Sequence, residues 1–420
     1  MDQGNTAFIL FAAALVLLMT PGLAFFYGGL VKAKSVISMM MMSFGAIGLV
    51  GVLWVIYGYA ITFANDTGID GVLGIDMGAI GLTNLLEVPD DAAFPPLAFA
   101  AFQATFAIIT VALISGAIAD RAKFGAWMIF AGVWVTLVYF PVASWVFNFT
   151  LAEDGSFANG GWITYGLQET FGAGAIDFAG GTAVHINAGA AALALALVLG
   201  KRVGFSKGAH VPHNPPFVLL GAGLLWFGWF GFNAGSELAA DGVAALAFVN
   251  TIAAPAAALL AWLVVEKIKD GKPTSVGAAS GAVAGLVAIT PACASLTPGY
   301  AILLGVIAGA VCALAIDLKF KLGFDDSLDV VGIHLVGGLI GTLYLGFFAN
   351  GVGLFTGGDA TQLLVQAIAA FTVMIFSFVM AYIIGFAIEK TIGFRVKEED
   401  ELAGIDPIVH GEAGYVLDAR

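Results

Sequence analysis

Charge is what this 420-residue chain has least of: 11% of its residues are Asp, Glu, Lys or Arg, against 60% that are hydrophobic. A soluble domain of this length needs a polar surface that such a composition does not supply, which excludes a soluble globular class. Segments of about ten residues with alternating polarity are also missing, which argues against a transmembrane barrel. No basic stretch is longer than Lys201-Arg202, so the patch that nucleic-acid binding requires is absent. The two cysteines, Cys293 and Cys312, lie in apolar runs without metal-ligand or redox spacing, and read as small core hydrophobes. The opening Met1-Asp2-Gln3 lacks the positive region of a cleavable signal peptide, so the first apolar run is expected to be the first helix of the mature protein. No cofactor or metal set is expected.

Long apolar runs are what the chain has in abundance. Charge-free stretches cover 3–31, 35–65, 92–119, 124–152, 178–200, 214–236, 242–265, 273–316, 330–358 and 360–388. Runs of about twenty apolar residues are the length of bilayer-spanning helices. The run 273–316 is too long for one span and carries the turn signal Thr297-Pro298-Gly299. Split there, the chain reads as an all-α polytopic membrane protein with eleven transmembrane helices, ending in a polar tail over 392–420.

An odd number of spans puts the termini on opposite sides. All sixteen Lys and Arg fall in alternate loops or the tail, at Lys32, Lys34, Arg121, Lys123, Lys201, Arg202, Lys207, Lys267, Lys269, Lys272, Lys319, Lys321, Lys390, Arg395, Lys397 and Arg420. Positive loops stay in the cytoplasm, so the N-terminus is expected outside and the C-terminus inside. The other loops hold Asp66, Asp70, Asp76, Glu87, Asp90, Asp91, Glu153, Asp154, Glu169, Glu237, Asp241 and Asp359. An acidic outer face either solvates the loops or concentrates cations near them.

Of five histidines, His185 and His334 alone lie within apolar spans. An ionisable side chain is costly in hydrocarbon, and one found there marks a functional site unless it serves as a structural hydrogen-bond partner between helices. Asp177 precedes His185 by eight residues and Asp326 precedes His334 by eight, at the starts of the fifth and tenth spans. Eight residues are about 12 Å of helix, so each histidine descends to a similar depth from opposite faces. That is the pattern of an inverted repeat of five plus five helices, about 1–200 and 214–358, with the eleventh helix, about 359–391, peripheral. The small residues Ala179-Gly180-Gly181-Thr182 and Gly337-Gly338 beside the histidines permit close helix contact.

The stretch Asp177-Phe178-Ala179-Gly180-Gly181-Thr182-Ala183-Val184-His185-Ile186-Asn187-Ala188-Gly189 resembles the signature of the ammonium transporter, methylammonium permease and Rhesus superfamily. So do Pro21 to Leu30, Trp229 to Ser236, Thr290-Pro291-Ala292-Cys293 and Asp325 to Asp329, in the family's order from the first helix into the tail. The motifs look like the bacterial ammonium transporter branch. The resemblance implies a homotrimer with one pore per subunit, in a cell inner membrane. It implies an outer site that receives ammonium or methylammonium, two stacked phenylalanines beneath it, and twin histidines below.

By motif, the rings are Phe106 and Phe232, the twin histidines His185 and His334, and the outer hydroxyl Ser236. Sequence spacing agrees, since Phe232 lies one helical turn below Ser236 on the same face. Asp177 is expected to hold the outer site's backbone rather than to ligate the cation, while Trp229 and Thr290 border the pore. The family usually places a tryptophan over the outer site, and that position holds Phe147 here, with Trp145 two residues earlier. Two residues are about 200° apart on a helix, so one does not substitute for the other. Phenylalanine gives a weaker cation–π face. Trp162, in the long segment from Phe147 to Asp177, offers another cap.

The resemblance further implies an ordered cytoplasmic tail that contacts a neighbouring subunit and helps a PII-type signalling protein dock. Its acidic residues Glu398, Glu399, Asp400 and Glu401 are expected to face Arg121, Lys123, Lys201 and Arg202. Transport is the expected function: ammonium gives up a proton and crosses as ammonia, which rejects potassium by chemistry as well as fit. The alternatives are an ammonium sensor and a channel for neutral gas. Sensors of this family generally carry an appended signalling domain, and the chain ends about thirty residues after its last span. An enzyme is not expected, because no nucleophile–base or metal-ligand set accompanies the histidines.

Overall fold

The computed structural model describes residues 1–64, 68–69, 71–90, 92–152, 156–207 and 211–415. Among the described residues, ten helices are long and apolar enough to cross a membrane: α1 (Gln3–Leu30), α2 (Ala33–Thr62), α3 (Pro96–Ile118), α4 (Phe124–Phe147), α5 (Gly181–Leu199), α6 (Pro215–Glu237), α7 (Gly242–Lys269), α9 (Pro298–Leu322), α10 (Val331–Phe348) and α11 (Thr361–Thr391). The remaining span of the count is the shorter apolar helix α8 (Ser275–Ile289). The 273–316 run does break where its turn signal lies. Thr297 caps α9 with its side chain on the Tyr300 amide, and Pro298 occupies the first helical position, where its missing N–H costs nothing.

Other helix starts follow the same logic. Asp2, Asn214, Asp241 and Thr274 accept backbone amides at the beginnings of α1, α6, α7 and α8. Such caps satisfy donors that have no helical partner. Asp76 and Asp359 likewise accept nearby amides, so part of the outer acidic series is capping. Asp66, Asp70, Asp91, Glu153 and Asp154 lie outside the described residues.

The two repeats meet chiefly through α1 and α6, the most extensive helix pair in the molecule. Their closeness is set by glycine: a Cβ on Gly231 would lie 2.7 Å from the Ala12 carbonyl oxygen. In lipid, where burial gives no hydrophobic gain, such intimate contact is how helices associate. The pair α5 and α10 meets the same way, since a Cβ on Gly338 would lie 3.1 Å from the Gly181 carbonyl oxygen.

The eleventh helix stands outside the repeat yet packs on both histidine helices, α5 and α10. Its Ser377 donates to the Asn187 carbonyl at 2.7 Å, and its Gln366 bonds both the amide and the carbonyl of Ile176. Between α4 and α5 the outer segment forms a small hairpin, Phe149–Leu151 paired antiparallel with Phe157–Gly160.

The tail docks against the ends of the helices. The Asp406 carboxylate accepts the amides of Ile37 and Ser38 at 3.0 and 2.8 Å, at the start of the long part of α2. Glu401 accepts the Val203 amide and pairs with Arg395. The Tyr415 hydroxyl meets His213 at 2.8 Å. Among the described residues, the expected pairing of the tail's acidic cluster with Arg121, Lys123, Lys201 and Arg202 is not formed. Arg121 and Arg202 are consumed by Asp325, which also lies in the buried inner network, and Glu399 pairs only loosely with exposed Lys397.

Candidate functional site

Both histidine helices begin the same way. Asp177 lies just before α5, and its two carboxylate oxygens accept four consecutive amides, those of Gly180, Gly181, Thr182 and Ala183, at 2.5–2.9 Å. The acceptors of this carboxylate are fully used, as the holding role requires. Gly180 adopts φ +113°, a left-handed conformation that a side chain would resist. The first turn of α5, Gly181–Ile186, is π-helical, and so is the first turn of α10, Val331–Leu335. Such π-turns are frequent at functional sites, and three more stand elsewhere in the fold, at Trp54–Gly58, Val135–Tyr139 and Trp162–Gly166. Those of α5 and α10 each carry their histidine.

The two π-turns bring the imidazoles together. His185 Nδ1 and His334 Nδ1 are 3.2 Å apart, with ring centroids 5.3 Å apart and ring planes at 27°. Both side chains are buried. A hydrogen bond between two Nδ1 atoms needs one nitrogen to carry a proton and the other to lack it, so the two neutral rings adopt opposite tautomers. The pair therefore shares one Nδ1 proton. His185 Nε2 has no protein partner among the described residues.

The chamber around them is apolar and narrow, with about 10 Å³ of room for water-sized centres, and is bounded by Met19, Leu23, Phe26, Ile109, Trp229 and Phe232 among others. The Trp229 ring stacks on His185 at 5.5 Å, and its indole N–H donates to the Thr290 hydroxyl at 2.8 Å. Thr290 is thus behind the wall and orients Trp229. Above the histidines, Phe106 and Phe232 stack face to face at 4.3 Å with planes 9° apart. Phe232 is 6.1 Å from the His185 ring.

Beyond the rings opens a vestibule of about 340 Å³. Phe147 forms part of its wall and meets Phe106 edge-on at 6.1 Å. Ser236 also lines it and donates its hydroxyl to the Phe232 carbonyl at 2.8 Å, which leaves its oxygen lone pairs for a cation. Trp145 does not line this space. Its indole N–H donates to the Val72 carbonyl at 2.6 Å, and its ring packs on Trp162 and Phe376. The 200° offset from Phe147 carries it to the opposite side of α4. Both tryptophans therefore hold the outer loops together, and Phe147 is the ring facing the vestibule.

Two lining residues escaped the sequence reading. Gln103 sits one turn before Phe106 in the vestibule wall, and Glu237 directly follows Ser236. Gln103 is the one amide side chain in the apolar run 92–119, which was a usable signal. Glu237 was read only as loop charge.

At the inner end, Asp326 caps α10 on the Val331 amide at 2.7 Å, and Lys319 bridges the Asp326 carbonyl and the Asp329 carboxylate. Behind it Asp325 takes the Arg202 guanidinium through both oxygens at 2.9 Å, beside Arg121. Burial works against the charge of Asp325, but the Arg202 hydrogen bonds and the charges of Arg121 and Arg202 hold its carboxyl below the usual carboxylate range.

The family model described as the Ammonium Transporter Family matches residues 7–415. The ammonium transporter of Mycobacterium tuberculosis (strain ATCC 25618 / H37Rv) is 55% identical over 441 residues, covering 99% of this chain and 90% of that one. A crystal structure of Saccharomyces cerevisiae Mep2 superposes with a TM-score of 0.82 at 34% identity, over 95% of this chain and 91% of that one. A structure described as a sensor Amt protein superposes with a TM-score of 0.87 at 28% identity, over 97% and 98% of the two chains.

Proposed function

The chain belongs to the Ammonium Transporter Family, and on that premise we propose that it takes ammonium into the cell by deprotonating it at the vestibule and passing ammonia along the twin histidines. The observation that carries this reading is the 3.2 Å Nδ1–Nδ1 contact of His185 and His334 inside an otherwise apolar chamber.

An intact monovalent cation pays a large desolvation cost in such a chamber. Neutral ammonia does not, and it finds both a donor and an acceptor in the shared imidazoles. Ser236, Phe106 and Phe147 receive the cation, with Asp177 holding the backbone around them. The Phe106–Phe232 stack leaves no gap at 4.3 Å, so it swings aside for each passage. Trp229, fixed by Thr290, keeps His185 in place. The proton released at the vestibule crosses to the cytoplasm separately from the ammonia, which makes uptake electrogenic.

The subunit is proposed to lie in the plasma membrane of the cell, with its N-terminus outside and its basic loops and tail in the cytoplasm. It works as a homotrimer. The docked tail regulates the pores through a PII-type protein: deleting 396–420 should leave the trimer intact, reduce transport and weaken PII binding. An unchanged PII complex and normal transport would make the tail a passive end.

The deciding experiment is ammonium-evoked current in proteoliposomes, with potassium as control. Saturable current with ammonium and none with potassium supports the reading. Ammonia-driven pH change without current points to a neutral gas channel, and tight binding without flux to a sensor, the description borne by one close structural neighbour.

A further inference from the structure

We propose that Glu237 is the anionic element of the cation-entry vestibule and sets the apparent affinity for ammonium. The inference rests on the vestibule being the entry site proposed above, and extends it by one residue.

Asp177 lies at the same cavity, but its two oxygens are taken by four amides and offer little to a cation. Glu237 differs. It closes α6 at the end of the turn Ala234–Glu237, directly after Ser236, and faces the same cavity as Phe106 and Phe147. The next residue, Leu238, has φ +61°, and its amide bonds the Gly235 carbonyl at 3.0 Å. A left-handed leucine costs backbone energy, and here that turn is what leaves Glu237 on the vestibule wall.

Glu237 is half-buried, and among the described residues it forms no ion pair. Its neighbour is another acid, Asp241, which shares a side-chain hydrogen bond with it and spends one oxygen on capping α7 through the amides of Val243 and Ala244. With no basic partner, such a pair of acids keeps a proton between them until a cation from solution replaces it, the proton passing to solvent. The apolar wall around it strengthens the attraction. Ammonium fits this chemistry: the carboxylate and the Ser236 oxygen accept its N–H groups while the Phe147 ring covers its charge. A neutral ligand gains little from Glu237.

Two measurements test this. In proteoliposome currents, Glu237→Gln should raise the apparent KM for ammonium about three- to tenfold while maximal current stays within about twofold, the scale of one screened charge at contact distance. Glu237→Asp should recover most of the loss, and added salt should narrow the gap. In the wild-type protein, ammonium chloride should protect Glu237 from carbodiimide labelling, read by mass spectrometry, where sodium chloride of equal ionic strength does not.

A wild-type KM in the Gln variant, or labelling that ammonium leaves unchanged, overturns the inference. If the Gln variant fails to assemble, the labelling result decides alone. Protection without any wild-type ammonium current keeps Glu237 as a cation ligand and sinks the transport reading, so the two failures are told apart.

Discussion

The outer and inner histidine helices start from one design and end in different surroundings. Each has an aspartate eight residues before its histidine and a π-helical first turn. Asp177 holds four amides, whereas Asp326 holds the Val331 amide and leaves its Oδ1 without a protein partner among the described residues. The outer helix opens on a vestibule of rings and hydroxyls, and the inner helix backs onto Lys319, Asp325, Arg202 and Arg121. Sequence spacing therefore sets where the histidine sits, while the elements packed around each start decide what it faces. The vestibule end is open and free of ion pairs among the described residues, and the other end is locked by ion pairs that also touch the docked tail, since Arg121 accepts the Val396 amide on its carbonyl.

The strongest way to break the comparison is to remove either ring. His185→Ala and His334→Ala should each cut selective ammonium current by about 10²-fold or more, the scale of a lost proton-transfer group. Full, selective current in either variant would remove the pair from the conduction path.

Next comes the difference between the caps. Asp177→Asn turns a four-fold acceptor toward amides with one carbonyl oxygen and an NH₂ group that cannot accept. A loss of about 3–5 kcal/mol is expected, against about 1–2 kcal/mol for Asp326→Asn, with its single amide bond. Thermal unfolding in detergent reads both, and equal losses would show the two starts to be equivalent.

The inner lock is probed through Asp325→Asn, which should cost about 3 kcal/mol by stranding Arg202 and Arg121. The folded pKa of Asp325 is depressed, so its contribution is complete above the unfolded value of about 3.9 and is lost as pH falls through the lower folded value. The melting gap between wild type and variant should shrink in acid. A gap independent of pH would mean that the carboxylate charge is not what the arginines use.

The smallest effects separate the two aromatic residues of α4. Phe147→Trp should tighten apparent ammonium affinity by up to about tenfold, because a larger ring face binds the cation better. Trp145→Phe should leave KM unchanged and cost about 1 kcal/mol of stability through the lost bond to Val72. A shift in KM from Trp145 and none from Phe147 would reverse their assignment.

Much of this was legible beforehand. Apolar runs and their interruptions are local, so the spans and the break at Thr297 follow from composition alone, and the Asp–His offset places the two histidines at matching depth. The tail shows the limit. Its residues can be named from the sequence, but Glu401 reaches Val203 and Arg395, and Asp406 reaches Ile37 and Ser38, partners that no spacing specifies. The tail's expected arginine partners were already committed to Asp325, a competition visible only once all three are buried together.

What the sequence by itself determined is therefore what a period or a charge count can encode: a polytopic helical membrane protein, an inverted repeat, and two histidines set in hydrocarbon where an ionisable group has a reason to be. The tertiary structure decided which atoms meet. It turned two histidines into an Nδ1–Nδ1 pair, aligned Phe106 with Phe232, sent Trp145 to the loop side of α4 and brought Glu237 to the vestibule. The reason is physical: side-chain periodicity assigns a residue to a face of its own helix, but contact depends on how two helices rotate and approach, and that is set by packing small residues such as Gly181 and Gly338 against a neighbour.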